Sequence, residues 1–249
     1  MIPRTEREKY LKKAKKILKK ILPVAVQQTI VITIDMSVMT KVNIGNKLAY
    51  GRNAPRYGEQ IWVKPCLIKD KVPQDVRQKY FQTIHVPKGV VIGGDWDQQG
   101  TPIELQSVFL ACRDHWINGV PWEQTGRYEV MLKEIRNKGD KSSGCANLGD
   151  IIARYRKLDK IYEEIRAEKR FQTREEKSGR KGEILLLHKK EDVIICIDRH
   201  GMPLLGGDGH HRVSIAKILE LPVIPAMLGV VHPQGLKYLD SYRKPPRDE

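Results

Sequence analysis

Residues 202–225 read MPLLGGDGHHRVSIAKILELPVIP, and this stretch decides the fold. Met202 to Leu205 is a short apolar run of the kind that forms a buried strand. It breaks at Gly206-Gly207 and passes through Asp208-Gly209-His210-His211-Arg212. From Val213 the apolar residues Ile215, Ala216, Ile218 and Leu219 keep helical spacing. Pro222 stops the helix, and Val223 to Leu228 reads as the next strand. A glycine-bearing turn at a helix start offers free backbone N–H groups and the positive end of the macrodipole. Two histidines and an arginine at that point make an anion site with acid–base groups beside it. Asp208 orients a histidine, holds a cation or accepts a proton; the plainer alternative is a helix cap beside a solvated Arg212. Without a following Gly-Lys-Ser/Thr it is not a P-loop, and the three-glycine spacing of a dinucleotide fingerprint is missing.

The run Asp208-Gly209-His210-His211-Arg212, then Ser214-Ile215-Ala216-Lys217 and Leu221-Pro222-Val223-Ile224-Pro225, resembles the signature segment of the ParB/sulfiredoxin superfamily. There a strand leads into a Gly-x-x-Arg turn, and the helix after it carries nucleotide phosphates on its N-terminus. The Asp-Gly-His-x-Arg version of the ParB-like free serine kinases is the nearest to Asp208–Arg212. Position 210 is His, where sulfiredoxins have their reactive cysteine. This resemblance covers about the last sixty residues. The whole chain also resembles a group of ParB-like prokaryotic proteins through Gly94-Asp95-Trp96-Asp97 and Trp122-Glu123-Gln124-Thr125. The resemblance implies a nucleotide-binding fold, with Gly207, Gly209, Arg212 and Ser214 on the phosphates and Asp208, His210 and His211 as catalytic candidates.

A chain of 249 residues suits one large domain or two small ones. Its 30% charged and 40% hydrophobic residues suit a soluble globular protein. Cys66, Cys112, Cys145 and Cys196 form no Cys-x-x-Cys pair, which argues against a zinc ribbon, a redox dithiol or a disulfide scaffold and fits a reducing cytoplasm. No apolar run is long enough for a transmembrane helix, and the N-terminus is too charged for a secretory signal. The formal charge of +15 calls for an anionic partner: nucleic acid, a membrane face or phosphorylated small molecules. Nine Lys/Arg against two Glu in the first twenty residues hold about half of that excess, so the remainder is only moderately basic.

Thr5-Glu6-Arg7-Glu8 fits a capping box, and a basic amphipathic helix is expected over 6–22. Residues 4–22 either lie on an anionic membrane, placing the protein at the inner membrane face, or pack on their own domain. Val24–Asp35 has the β-branched density of a buried strand. Residues 43–58 read as a long loop, with Arg52 and Arg56 in reach of an anion. Strands are expected at 61–63 and 66–68, broken by Pro65, and at 81–86 and 90–92. After them, Asp95 and Asp97 bracket Trp96. The carboxylates suit Mg²⁺ with phosphate oxygens, and the indole suits stacking on a base or sugar; the alternative is a turn with a core tryptophan.

Helices are expected over 102–118, 121–137 and 148–169, with His115, Trp116 and Trp122 as packing residues. A charged connector spans 171–182. Strands at 184–188 and 192–198 follow, then a hairpin turn at Arg199-His200-Gly201 and a final strand over 227–231. His232 either returns towards the site or sits in a plain loop. The tail 243–249 reads as disordered.

The expected fold is α+β: a small mixed ParB/sulfiredoxin-like sheet with a nucleotide-binding turn and helix. The parts are a basic helix (1–22), a β-rich segment (23–101), a helical insertion (102–170), the motif-bearing core (171–240) and a tail (241–249). The expected function is Mg²⁺-dependent phosphotransfer to a small molecule, or hydrolysis, using ATP or CTP. The rivals are a DNA-binding or nuclease protein of the ParB type and a non-catalytic nucleotide sensor. Against the partition-type rival, no helix-turn-helix follows residue 213.

Overall fold

The computed structural model describes residues 24–83, 85–138, 143–173, 176 and 193–245. The expected basic helix over 6–22, the strand at 184–188, most of the connector and the last four residues lie outside the described residues. At the centre is a mixed sheet: β1 (Gln60–Val63), β2 (Asp70–Lys71), β3 (Val90–Val91), β4 (Thr101–Pro102), β5 (Ile194–Ile197), β6 (Pro203–Leu205) and β7 (Ile224–Val231). Its order is β1-β7-β5-β6-β2-β4, with β3 pairing β7 beyond the end of β1. The β5–β6 hairpin is antiparallel, whereas β7 runs parallel to β5. β6 therefore ends at the end of the sheet where β7 begins, and residues 206–223 carry the chain past β5 from one to the other.

The side chains of β5 show why the sheet is buried on both faces. Ile195 and Ile197 join Leu205, Val213, Ile215 and Leu228 in the larger core, while Ile194 and Cys196 join Val72, Trp96, Leu204 and Val230 on the other side. Alternate residues thus enter different cores, as the strand period of two requires. All four β5 residues are buried, so the strand reads as a continuous apolar run.

Three helices, α2 (Ser107–Trp116), α3 (Arg127–Lys138) and α4 (Leu148–Glu168), make the expected helical layer, each N-terminally trimmed or matched. Pro102 and Pro121 precede short 3₁₀ turns (Ile103–Leu105 and Trp122–Gln124) instead of opening the α-helices themselves. Asn147 caps α4, its side chain accepting from the Asp150 N–H at 3.0 Å. Within this layer Asp159 accepts from the indole N–H groups of Trp116 (3.2 Å) and Trp122 (2.9 Å). His115 stacks on Trp122 at 4.1 Å, so it and both tryptophans are packing residues, as expected.

The N-terminal segment departs from its sequence reading. Val24–Tyr50 is one 27-residue helix, α1, where a strand and then a loop are expected. The preference of Val and Ile for strands comes from packing on a pleated surface, and their helix penalty is only tenths of a kcal/mol. No proline interrupts the run, so helix propagation prevails. The polar residues that suggest a loop fix its C-terminal end: Asn43 accepts from the Tyr57 N–H, and Asn46 donates to the carbonyls of Pro55 and Gly89. Pro65–Leu67 is a 3₁₀ turn in place of the second half of a strand, because Pro65 sets a helical φ at its first position. The described residues of 81–86 form no strand either, since Phe81 closes a wide helical turn (Arg77–Phe81) and Gln82 takes a left-handed φ of 55°. No helix among the described residues is long and apolar enough to cross a membrane.

Candidate anion-binding site

The turn from Gly206 to Arg212 sits at the open end of the β5–β6 hairpin. The Gly206 N–H donates to Ile194 O at 2.8 Å, and Gly209 leads into helix α5 (His210–Ile218) with φ of +97°. The first helical bond is Val213 N–H to Gly209 O at 2.9 Å. The N–H groups of the helix start therefore face the end of β6, as the sequence implies. This end of α5 is where an anion gains from the macrodipole.

The sequence does not foretell the cations brought to it. Lys71 ends β2 beside Leu205. Arg77 reaches over the turn from the segment after β2: its Nη1 donates to Gly206 O at 3.4 Å and lies 2.0 Å from where a Gly207 Cβ would stand. Gly207 is thus required for that approach, a different reason from the conformational one at Gly209. Arg127 of α3 and Arg154 of α4 belong to the helical layer, bonded to Tyr155 and Ser143, and their charges act on His211. Asp208 is the carboxylate whose charge acts on both Arg77 and His210.

Burial and this surplus of positive charge set the state of the histidines. Burial, then Lys71, push His210 down to about 4; Asp208 opposes them, and Arg77 and Arg127 add to the depression. Burial, then Arg154 and Arg127, push His211 down to about 3. Both rings are neutral at pH 7. The unfolded chain, with ordinary histidines near 6.5, binds more protons between that value and the folded ones. Stability therefore falls as pH drops through ~6.5 and goes on falling to ~4 and ~3. Urea unfolding at pH 7.5 and pH 5 is expected to show a loss of roughly 2 kcal/mol or more from this pair. Most of that difference should vanish when both are replaced by glutamine; an unchanged difference contradicts the burial of the pair.

Two buried side-chain nitrogens among the described residues have no hydrogen-bond partner, Arg77 Nε and His211 Nε2. Both belong to residues that flank this one turn. A buried donor without an acceptor costs about 1–3 kcal/mol, so its partner is to be sought in a ligand or water.

The other residues singled out by sequence fall elsewhere. Ser214 is buried, and its hydroxyl donates back to His210 O at 3.0 Å, so it faces the core instead of the anion. Asp95 and Asp97 both bind Arg199, at 2.8 Å each, in the β5–β6 hairpin turn. That turn is the opposite end of the hairpin from Gly206, which separates these carboxylates from the α5 N-terminus. Burial works to raise the Asp97 carboxyl, but hydrogen bonds from Arg199 hold it below its usual range. Trp96 is fully buried and donates to Ile92 O at 2.8 Å, which leaves its ring no face for a base. His232 packs 6.3 Å from Trp96, and its backbone N–H donates to Ile197 O, again at the hairpin-turn end. Arg52 and Arg56 are exposed in the connection from α1 to β1.

Among the described residues no cluster of three His, Cys, Asp or Glu side chains is placed to hold a metal ion. Comparison with the models of known families, with curated proteins and with solved structures found no match to this chain.

Proposed function

We propose that the turn Gly206–Arg212 binds the phosphates of a nucleoside triphosphate, ATP or CTP, and that the chain transfers or hydrolyses the terminal phosphoryl group. The observation that carries this reading is the unpartnered buried nitrogen of Arg77, Nε, beside a cation-rich helix start. The likeness of Asp208–Arg212 to the ParB/sulfiredoxin turn supports it. Backbone N–H groups of α5 and the Lys71, Arg77 and Arg212 side chains would neutralise the phosphate oxygens.

An acceptor hydroxyl attacking the terminal phosphorus forms one P–O bond as the bond to the leaving diphosphate breaks. Its proton goes to neutral His210 or to Asp208. A bound phosphate offsets the positive charge that depresses His210, which raises the basicity of the ring. Mg²⁺ would supply charge neutralisation on the phosphates. Asp208, exposed and beside them, is the residue fitted to hold it, with phosphate oxygens and water completing the shell.

A thermal-shift series with ATP, ADP, CTP and GTP plus Mg²⁺ tests the proposal. One nucleotide is expected to raise the melting temperature, and Arg212→Ala or Arg77→Gln to remove most of that rise. No shift with any nucleotide, together with tight salt-sensitive binding of duplex DNA, overturns it in favour of a DNA-binding protein.

A further inference from the structure

The cations at the turn divide into two sets by the side of α5 they approach. Lys71 and Arg77 come from the β2 side and act on His210, whereas Arg154 and Arg127 come from the helical layer and act on His211, Arg127 on His210 as well. Consecutive residues on a helix point about 100° apart, so the two rings serve different sides of one helix start. Around His211 the structure is specific. The ring meets Tyr155 edge-on, with centroids 5.8 Å apart, and Arg127 Nε donates to the Tyr155 hydroxyl at 3.1 Å. The other bonds of these arginines also go to neutral oxygens, Arg127 to Ser107 Oγ and Arg154 to Ser143 O.

Asp159, on the same helix as Arg154 and Tyr155, is taken by the two indoles and His115. Arg127 is thus held on the tyrosine that packs against a buried imidazole nitrogen without a partner, and the charge of Arg154 also acts on that ring. A buried imidazole nitrogen without a partner, beside cationic side chains, is unfavourable, and an anion there supplies both a hydrogen-bond partner and a counter-charge.

We infer that His211, Arg127, Arg154 and Tyr155 form a second anion subsite, between α5 and the helical layer, for a carboxylate or phosphate group on the acceptor molecule. The subsite rests on the proposed function only for the word acceptor. Two anionic subsites on one helix start would hold donor and acceptor side by side, and orientation of that kind is a large part of phosphoryl-transfer catalysis.

The test follows the His211 ring resonances while inorganic phosphate, or separately acetate, is titrated into protein holding a non-hydrolysable ATP or CTP analogue. A saturable shift with one of the two probes is expected, and the probe that acts tells phosphate from carboxylate. Arg127→Gln and Arg154→Gln should each weaken it about tenfold, the scale of one charge-assisted hydrogen bond, with the nucleotide-induced melting shift retained. Arg154 is exposed, so its variant is expected to fold normally. A His211 ring that ignores both probes overturns the subsite. So does an equal loss of nucleotide and probe binding, which would assign the arginines to the nucleotide itself. If wild type binds no nucleotide while His211 still answers the probe through Arg127 and Arg154, the subsite stands and the nucleotide reading falls.

Discussion

Gly209→Ala is expected to destabilise the protein by roughly 2–5 kcal/mol and to abolish anion binding at the α5 N-terminus. The backbone there has φ of +97°, which L side chains rarely adopt, and an added Cβ would stand 2.7 Å from Val193 Cα. Two costs therefore combine, backbone strain and overlap with another backbone segment that cannot swing aside. The residue also joins β6 to α5, and its carbonyl begins the helix. Relaxing the clash means moving the N–H donors of the helix start. Gly207→Ala is the informative contrast. Its φ is not in the left-handed region, and its nearest obstacle is the tip of Arg77. That variant is expected to keep its fold while losing anion affinity, because the guanidinium is displaced. Urea unfolding of both variants, with phosphate titration of Gly207→Ala, checks the pair. Equal stability of Gly209→Ala and wild type would contradict the described turn.

Trp96→Ala is expected to cost about 3–5 kcal/mol without a specific effect on ligand affinity. The side chain is fully buried, meets Phe81 edge-on at 5.4 Å and lies among Val72, Ile194 and Val230. Its flanking aspartates fasten the β5–β6 hairpin turn through Arg199, and the Arg199 backbone N–H also donates to Asp97 at 3.0 Å. The Gly-Asp-Trp-Asp segment is thus a latch that ties the 94–99 loop to the central hairpin. Trp96→Phe should recover part of the loss, since it restores apolar contact but not the bond to Ile92 O. If Trp96→Ala remains stable yet loses nucleotide affinity, the indole is a ligand contact and the latch is the wrong account.

How much was legible follows from the range of each signal. Strand, glycine turn, helix and strand over 203–231 could be read because each is announced by neighbours: an apolar run, two glycines, helical spacing, a proline. Helix α4 was legible from its apolar face, and the β5–β6 turn from Arg199-His200-Gly201. Helix α1 was not, because a β-branched run carries the same apolar density in either conformation. The site was half legible. In the candidate site, Gly209, His210 and His211 come from one short stretch, whereas Lys71, Arg77, Arg127 and Arg154 lie in three other segments that only the fold assembles. The resemblance puts Ser214 on the phosphates, yet the helix turns it to the core. Asp95 and Asp97 looked like metal ligands because their spacing is right, and no local signal could show that Arg199, about a hundred residues on, binds both.

The most direct measurement is a calorimetric titration of ATP and CTP with Mg²⁺ into wild type, Arg77→Gln and Arg212→Ala at one fixed, moderate salt concentration. Saturable binding of one nucleotide at a single site, weakened tenfold or more in each variant, is the predicted result. Binding of equal strength in all three proteins would contradict the assignment of nucleotide phosphates to the Gly206–Arg212 turn.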